Sequence, residues 1–118
     1  MSNVIRIISK KILKPEFSRV SFIEYTNELS ECAKTQKGFI KSNSYWKTPL
    51  KNNSNNLLGN PHELIVISIS DWNDIEYWNK WYNSDTRNSI HSKYKGILQS
   101  ENFSLLNKKL VNDDVFLL

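Results

Sequence analysis

The aromatic pattern between residues 72 and 87 constrains the fold of this chain more than any other feature. It reads Trp72-x5-Trp78-x2-Trp81-x2-Ser84-x2-Arg87, holds three of the four tryptophans and joins two short helical patterns. Rings at this density suit either the core of a compact domain or the wall of an apolar pocket. The spacing is compatible with both, so the tryptophans are candidates for core residues and for ligand contacts.

Chain length and cysteine content bound the class of protein. A chain of 118 residues forms one domain and can bury a core without disulfides or a structural metal. The single cysteine, Cys32, falls within an amphipathic helical pattern, which indicates a packing residue and a reducing compartment. The apolar run at residues 4–8 is interrupted by Arg6 and is too short for a signal peptide or a spanning helix. We therefore expect a cytoplasmic protein with no membrane partner.

The distribution of charge argues against a nucleic-acid partner. The net charge of +4 comes from 16 lysine and arginine residues against 12 acidic ones. The lysines are scattered along the chain, without the dense block that a groove binder shows. With two histidines and one cysteine, the sequence also has no spacing suited to a structural zinc, and it has no glycine-rich phosphate loop. The sequence therefore predicts no metal site.

Apolar spacing in the first half of the chain predicts a strand, a helix and a second strand. An apolar run over residues 3–10 indicates the first strand. Over residues 17–36, apolar side chains recur at three- and four-residue steps, which indicates a helix with one buried face. Pro15 would occupy the first turn of this helix, and Gly38 would end it. Residues 39–48 alternate as a strand does.

The second half predicts two further strands separated by helical segments. Residues 49–61 are rich in asparagine and read as a mobile loop between two antiparallel strands. Residues 62–70 are apolar on both faces, so this strand should be central in the sheet. Residues 101–111 form the last strand and end the domain, which spans 1–111. The apolar tail at 112–118 should dock on this subunit or on a partner.

Two helical segments lie between the last two predicted strands. Asp71 or Asn73 can cap the first, which runs to about residue 83, and Ser84 begins a second that runs to about residue 98. Trp81 lies at the edge of the buried stripe of the first segment. The residues predicted to form that stripe are Ile75, Trp78 and Tyr82.

This order of elements is β-α-β-β-α-β with the second helix split. It predicts an α+β, ferredoxin-like fold, in which an antiparallel four-stranded sheet carries its helices on one face. Apolar residues of the second and third strands would occupy the other face. A second, identical subunit is the simplest cover for them, so the sequence predicts a homodimer.

Several motifs along the chain together resemble a known family. These are Lys14-Pro15 before the first helix, Gly38-Phe39 at the start of the second strand and the tryptophan pattern described above. Over residues 3–111 the chain resembles the antibiotic biosynthesis monooxygenase (ABM) superfamily. These are small dimeric α+β-barrel proteins that include quinone-forming and haem-degrading monooxygenases.

The resemblance extends to residues of two branches. In the quinone-forming branch a tryptophan at the end of the third strand lines the substrate pocket, and Trp72 has that place. Ser68 and Ser92 stand where well-known members have asparagine and arginine. In the haem-degrading branch a tryptophan is followed ten residues later by the histidine that ligates iron, and Trp81 and His91 have that spacing.

The resemblance implies a cofactor-independent monooxygenase, an oxidoreductase that acts on an aromatic or conjugated small molecule in an apolar pocket. Trp72, Trp78 and Trp81 would orient the planar ligand, and Arg87 or His91 would supply the polar contact. Two alternatives stay open: a haem-binding or haem-degrading relative in which His91 ligates iron, and a non-enzymatic ligand-binding or dimerisation domain of the same fold.

Each candidate also has a purely structural interpretation. The tryptophans can belong to the core. His91, at the edge of an amphipathic helix, can be a packing or hydrogen-bonding residue. Arg87 can cap a helix or pair at the surface with Glu76 or Asp85.

Overall fold

The computed structural model describes residues 4–48, 50–58 and 63–106 of the chain. The elements, in chain order, are β1 (Ile5–Leu13), α1 (Arg19–Ala33), β2 (Phe39–Trp46), β3 (Leu50–Lys51), β4 (Leu57–Leu58), β5 (Ile65–Trp72), α2 (Ile75–Tyr82), α3 (Asp85–Lys93) and β6 (Leu98–Leu106). The four long strands form an antiparallel sheet in the order β2-β5-β1-β6. The predicted ferredoxin-like α+β fold with a split second helix is confirmed, and β5 is central as predicted.

The first strand is longer than the sequence predicted, because polar residues continue it. β1 does not end at residue 10 but runs to Leu13 with alternating burial. Ser9 and Lys11 lie on the same face as the apolar residues that precede and follow them, and both are buried. We call this helix-covered side of the sheet the inner face. Its residues in β1 are Ile5, Ile7, Ser9, Lys11 and Leu13.

A serine cap, not a proline, begins the first helix. Ser18 has an extended backbone, and its hydroxyl accepts a hydrogen bond from the Ser21 N–H at 3.1 Å. The helix therefore begins at Arg19, and the prediction that Pro15 occupies its first turn is wrong. The side chains that α1 buries against the sheet and α3 are Phe22, Tyr25, Leu29 and Ala33.

The second helix differs from its prediction at the cap and at the buried face. Asp74 is the N-cap and accepts a hydrogen bond from the Glu76 N–H. Asp71 lies within β5 and pairs with Arg6 instead. Trp81 is buried, whereas Tyr82 is 37% exposed. The indole of Trp81 belongs to the core, while Tyr82 packs on Trp78 outside it, so the prediction that Tyr82 faces the core is wrong.

The third helix and the last strand meet earlier than predicted. Ser84 caps α3, as predicted, and its hydroxyl accepts from the Arg87 N–H at 3.1 Å. The helix ends at Lys93 rather than near residue 98, because Gly96 turns the chain with a φ of 81°. β6 then begins at Leu98 instead of residue 101. The apolar tail at 112–118 lies outside the described residues.

The asparagine-rich segment contains a small hairpin. Leu50 pairs with Leu58 and Lys51 with Leu57. The side-chain oxygen of Asn52 accepts hydrogen bonds from the N–H groups of Ser54 and Asn56, and Asn55 has a left-handed φ of 62°. Asparagine suits both roles, since it caps turns and tolerates this conformation. Part of the predicted loop is therefore an ordered turn.

The other side of the sheet, the outer face, is apolar in its middle. Pairing register places on this face the residues that alternate with the inner set. Within the described ranges, the buried residues of the three helices cluster with residues of the inner face and not with those of the outer face. Tyr45 and Leu106 are more than half exposed. The other apolar residues of the outer face are Ile8, Ile12, Ile65, Ile67 and Ile69.

In the described ranges, no helix is long and apolar enough to span a membrane.

Candidate functional site

A cavity of about 70 Å³ lies between the inner face of the sheet and the helices. Trp72, at the end of β5, and Trp78 and Trp81, on α2, all line it. The structure therefore brings together the three tryptophans that the sequence singled out. They meet because β5 leads through a two-residue connection into α2, which folds back over the end of the strand.

The tryptophans are core residues and cavity walls at once. Trp72 is 1% exposed and Trp81 is 6% exposed. The Trp72 indole donates a hydrogen bond to Ser70 Oγ at 3.0 Å and meets the Phe39 ring edge-on at 5.3 Å. Trp78 is half-buried and stacks on Tyr82, with ring centroids 5.0 Å apart. These contacts fix the rings, so the apolar wall is preformed.

Serine side chains form the floor of the cavity. The strand register pairs Ser42 with Ser70, and Ser68 with both Ser44 and Ser9. Hydroxyls from three adjacent strands therefore lie side by side on the inner face, and the Ser44 and Ser68 hydroxyls are 2.7 Å apart. These short side chains leave space that larger apolar residues would fill. All five serines line the cavity.

A buried lysine, which was not predicted from the sequence, also lines the cavity. Lys11 is 6% exposed, and its ammonium donates a hydrogen bond to Ser9 Oγ at 2.9 Å. Its nitrogen lies 3.5 Å from Glu101 Oε2, an ion pair too long for a hydrogen bond. Burial lowers the pKa of Lys11, and the charge of Glu101 opposes that shift.

Arg87 and His91 do not line the cavity. Arg87 is buried, donates to Glu101 Oε1 at 2.9 Å and lies over the Tyr82 ring at 4.5 Å. Its partner is thus neither of the acidic residues predicted from the sequence. His91 packs edge-on against Tyr25, whose hydroxyl oxygen is 3.2 Å from Nδ1 and 3.3 Å from Nε2. Burial lowers the pKa of His91, which favours the neutral imidazole.

These positions do not fit a haem group. A proximal histidine must point a free ring nitrogen into a pocket that encloses the porphyrin. Both ring nitrogens of His91 face the Tyr25 hydroxyl, and the cavity of about 70 Å³ is far smaller than a porphyrin needs. In the described ranges there is also no cluster of three histidine, cysteine or carboxylate residues that could hold a metal ion.

A second cavity adjoins the first; we call the first the inner cavity and the second the outer cavity. The outer cavity measures about 250 Å³ and lies between α1 and the edge strand β2. The two cavities share Thr26 and Ser44 as lining residues. The hydroxyl oxygen of Thr26 is buried and has no hydrogen-bond partner in the described part of the chain. An unpaired buried hydroxyl is costly, so a polar atom of a bound molecule would be stabilised there.

Comparisons with known proteins establish the fold. No protein-family model matches the chain, and no curated protein matches it in sequence. A conserved protein from Methanosarcina mazei Go1 has a similar structure, with a TM-score of 0.66 and 21% identity over 92% of this chain and 95% of that one. The cofactor-independent oxygenase SnoaB from Streptomyces nogalater has a TM-score of 0.65 and 9% identity, over 93% of this chain and 97% of SnoaB. A dimeric ferredoxin-like protein of unknown function from Thermobifida fusca YX has a TM-score of 0.64 and 8% identity, over 89% of this chain and 91% of that protein.

At sequence identities this low, the structural similarity shows a shared fold but does not show a shared reaction. An oxygenase is among the proteins that share this fold, but no family model shows that the chain belongs to the ABM superfamily. At the two positions that the sequence analysis compared with the quinone-forming branch, Ser68 lines the cavity and Ser92 is exposed on α3.

Proposed function

We propose that the protein is an ABM-type oxygenase that binds a small aromatic or conjugated molecule in the cavity of the three tryptophans, without a cofactor. The observation that carries this proposal is that Trp72, Trp78 and Trp81 line one cavity with a polar floor. Apolar walls with a few convergent polar groups are typical of small-molecule sites. The fold shared with SnoaB, a cofactor-independent oxygenase, supports the same reaction class.

In such a reaction the substrate itself reduces oxygen. A conjugated substrate loses electrons to O₂, one oxygen atom enters the substrate, and the other leaves as water with two hydrogen atoms from the substrate. The protein would orient the substrate and exclude bulk water. The rings of Trp72 and Trp81, held by the core, would supply the orientation, and the serine hydroxyls would bind oxygen atoms of the substrate.

The volume of the cavity limits the size of the substrate that can bind. Pockets that enclose drug-sized ligands measure about 300–1,000 Å³, so the inner cavity of about 70 Å³ fits only a small molecule or one end of a larger one. A longer molecule would pass Thr26 and Ser44 and continue into the outer cavity. We therefore favour a substrate with one or two rings.

An oxygen electrode tests the reaction directly. Small hydroquinones and other readily oxidised phenols, added to protein that was treated with a chelator, should increase oxygen uptake above the rate without protein. A substrate-dependent uptake that follows protein concentration supports an oxygenase. Binding of the same compounds without uptake would favour the alternative described next.

A non-enzymatic ligand-binding domain is the second candidate. It is favoured because, among the described residues, Lys11 is the only one with an acid or base side chain that lines the inner cavity. Oxygenation that begins with removal of a substrate proton needs a base within hydrogen-bond reach. No carboxylate or imidazole of the described residues is on that wall.

We also propose that the protein is a cytoplasmic homodimer, with no nucleic-acid or membrane partner. The apolar outer face of the sheet supports the dimer, and a dimeric protein from Thermobifida fusca YX has the same fold. Sedimentation should give about twice the chain mass of 13.9 kDa, and unfolding should depend on protein concentration. A mass of one chain at micromolar concentration would contradict the dimer.

A further inference from the structure

We propose that the inner cavity selects a small anionic molecule, such as a carboxylate, phenolate or enolate, and that the Lys11 ammonium binds its charged oxygen. This inference rests on the proposed role of the cavity as a ligand site and names the chemical class of its ligand. It is carried by the position of Lys11, by the charges around it and by the other donors of the cavity.

The Lys11 ammonium has N–H donors that no described residue accepts. An ammonium group has three N–H donors and no acceptor. Among the described residues, only Ser9 Oγ accepts from it, at 2.9 Å, while Glu101 Oε2 at 3.5 Å is an ion-pair contact. The lysine is buried and lines the cavity. A ligand oxygen that entered the cavity would therefore meet a donor already removed from bulk water.

The buried charges around Lys11 do not balance. Lys11 and Arg87 both pair with the carboxylate of Glu101, on different oxygen atoms. With both cations charged, two positive charges face one negative charge within the described part of the chain. Unbalanced buried charge is costly. One anion in the cavity would restore the balance, whereas a cation would increase the imbalance.

The rest of the cavity suits an anion attached to an apolar body. Serine hydroxyls on the floor can donate to its oxygen atoms, and the buried Thr26 hydroxyl has no partner among the described residues. The indole rings of Trp78 and Trp81, on α2, and of Trp72, at the end of β5, form the apolar part of the wall, where rings or conjugated chains would pack. Polar and apolar walls thus face the two ends of such a molecule.

The binding should depend on pH. The groups that face Lys11 are Glu101 on β6, Arg87 and His91 on α3, and, beside them, Tyr25 on α1. Burial lowers the pKa of the ammonium, Glu101 raises it and Arg87 lowers it. A bound anion would raise it and stabilise the charged form. Affinity should fall as the pH rises, beginning below the pH at which an exposed lysine loses its proton, while a carboxylate ligand stays charged.

Benzoate and benzamide test the inference, since they have nearly the same shape and differ in charge. We expect the wild-type protein to bind benzoate more tightly than benzamide in calorimetry at about pH 7. Lys11→Met should weaken benzoate binding by roughly tenfold to a hundredfold and leave benzamide binding within about twofold. The matched control is Lys47→Met, which removes the same charge at an exposed position and should change neither affinity.

The outcomes separate this inference from the function proposed above. Equal benzoate affinity in the wild-type protein and in Lys11→Met would overturn the role of Lys11, while the tryptophan cavity would stand as a ligand site. Benzamide binding to Lys11→Met would show that its cavity is intact. If neither compound bound the wild-type protein, the inference would be overturned together with the ligand site.

Discussion

Glu101→Gln should destabilise the protein by about 3–5 kcal/mol, because it removes the carboxylate that two buried cations share. Arg87 lies 2.9 Å and Lys11 lies 3.5 Å from this carboxylate, and all three side chains are at least 85% buried. The amide that replaces it keeps the shape and loses the charge. Urea unfolding at about pH 7 measures the loss.

The matched variant is Lys11→Met, for which we expect a change within about 1 kcal/mol in either direction. It leaves Arg87 and Glu101 as a balanced pair, and methionine fills a similar volume. The contrast between the two variants distinguishes charge balance from packing. A loss in Lys11→Met as large as that in Glu101→Gln would contradict the account of the buried charges.

Gly38→Ala should cost about 3 kcal/mol or more, since two separate penalties combine. Gly38 has a φ of 85°, a value that residues other than glycine rarely adopt. A Cβ at this position would lie 2.2 Å from Cγ of Tyr77, so the tyrosine at the start of α2 would have to move. Gly38 also accepts a hydrogen bond from the Asn73 N–H at 2.8 Å, which ties the start of β2 to the end of β5.

Gly96→Ala is the control for the backbone penalty alone. Its φ is 81°, but its Cβ would meet only the end of the Lys14 side chain, at 3.9 Å. We expect a loss of about 1 kcal/mol, the cost of a left-handed conformation for alanine. Thermal or urea unfolding compares the two variants. Equal losses would show that the contact with Tyr77 contributes nothing.

The sequence predicted the topology because apolar periodicity encodes it. Helices α1 and α2 and the central strand β5 follow from spacing alone. The errors at the helix starts have a common cause: Ser18 and Asp74 cap their helices where proline and earlier polar residues were favoured. Several residues can cap a helix, and tertiary packing decides which one does.

The residues that line the candidate cavity were predicted only in its apolar part. Tryptophans stand out in a sequence, and the three predicted ones line one cavity. Lys11 and Glu101 were missed because a charged residue in a strand is normally assigned to the solvent face. Strict alternation of β1 from Ile5 would have placed Lys11 inside. Its partner, 90 positions along the chain, is brought close only by the pairing of β1 with β6.

Nuclear magnetic resonance of the indole N–H groups tests the central claim, that the three tryptophans enclose a ligand site. The chain has four tryptophans, and the fourth, Trp46, lines the outer cavity and not the inner one. Titration with benzoate or benzamide should shift the signals of Trp72, Trp78 and Trp81 together, with one dissociation constant, and shift that of Trp46 less. Unchanged signals from the three, or a shift of Trp46 alone, would contradict the claim.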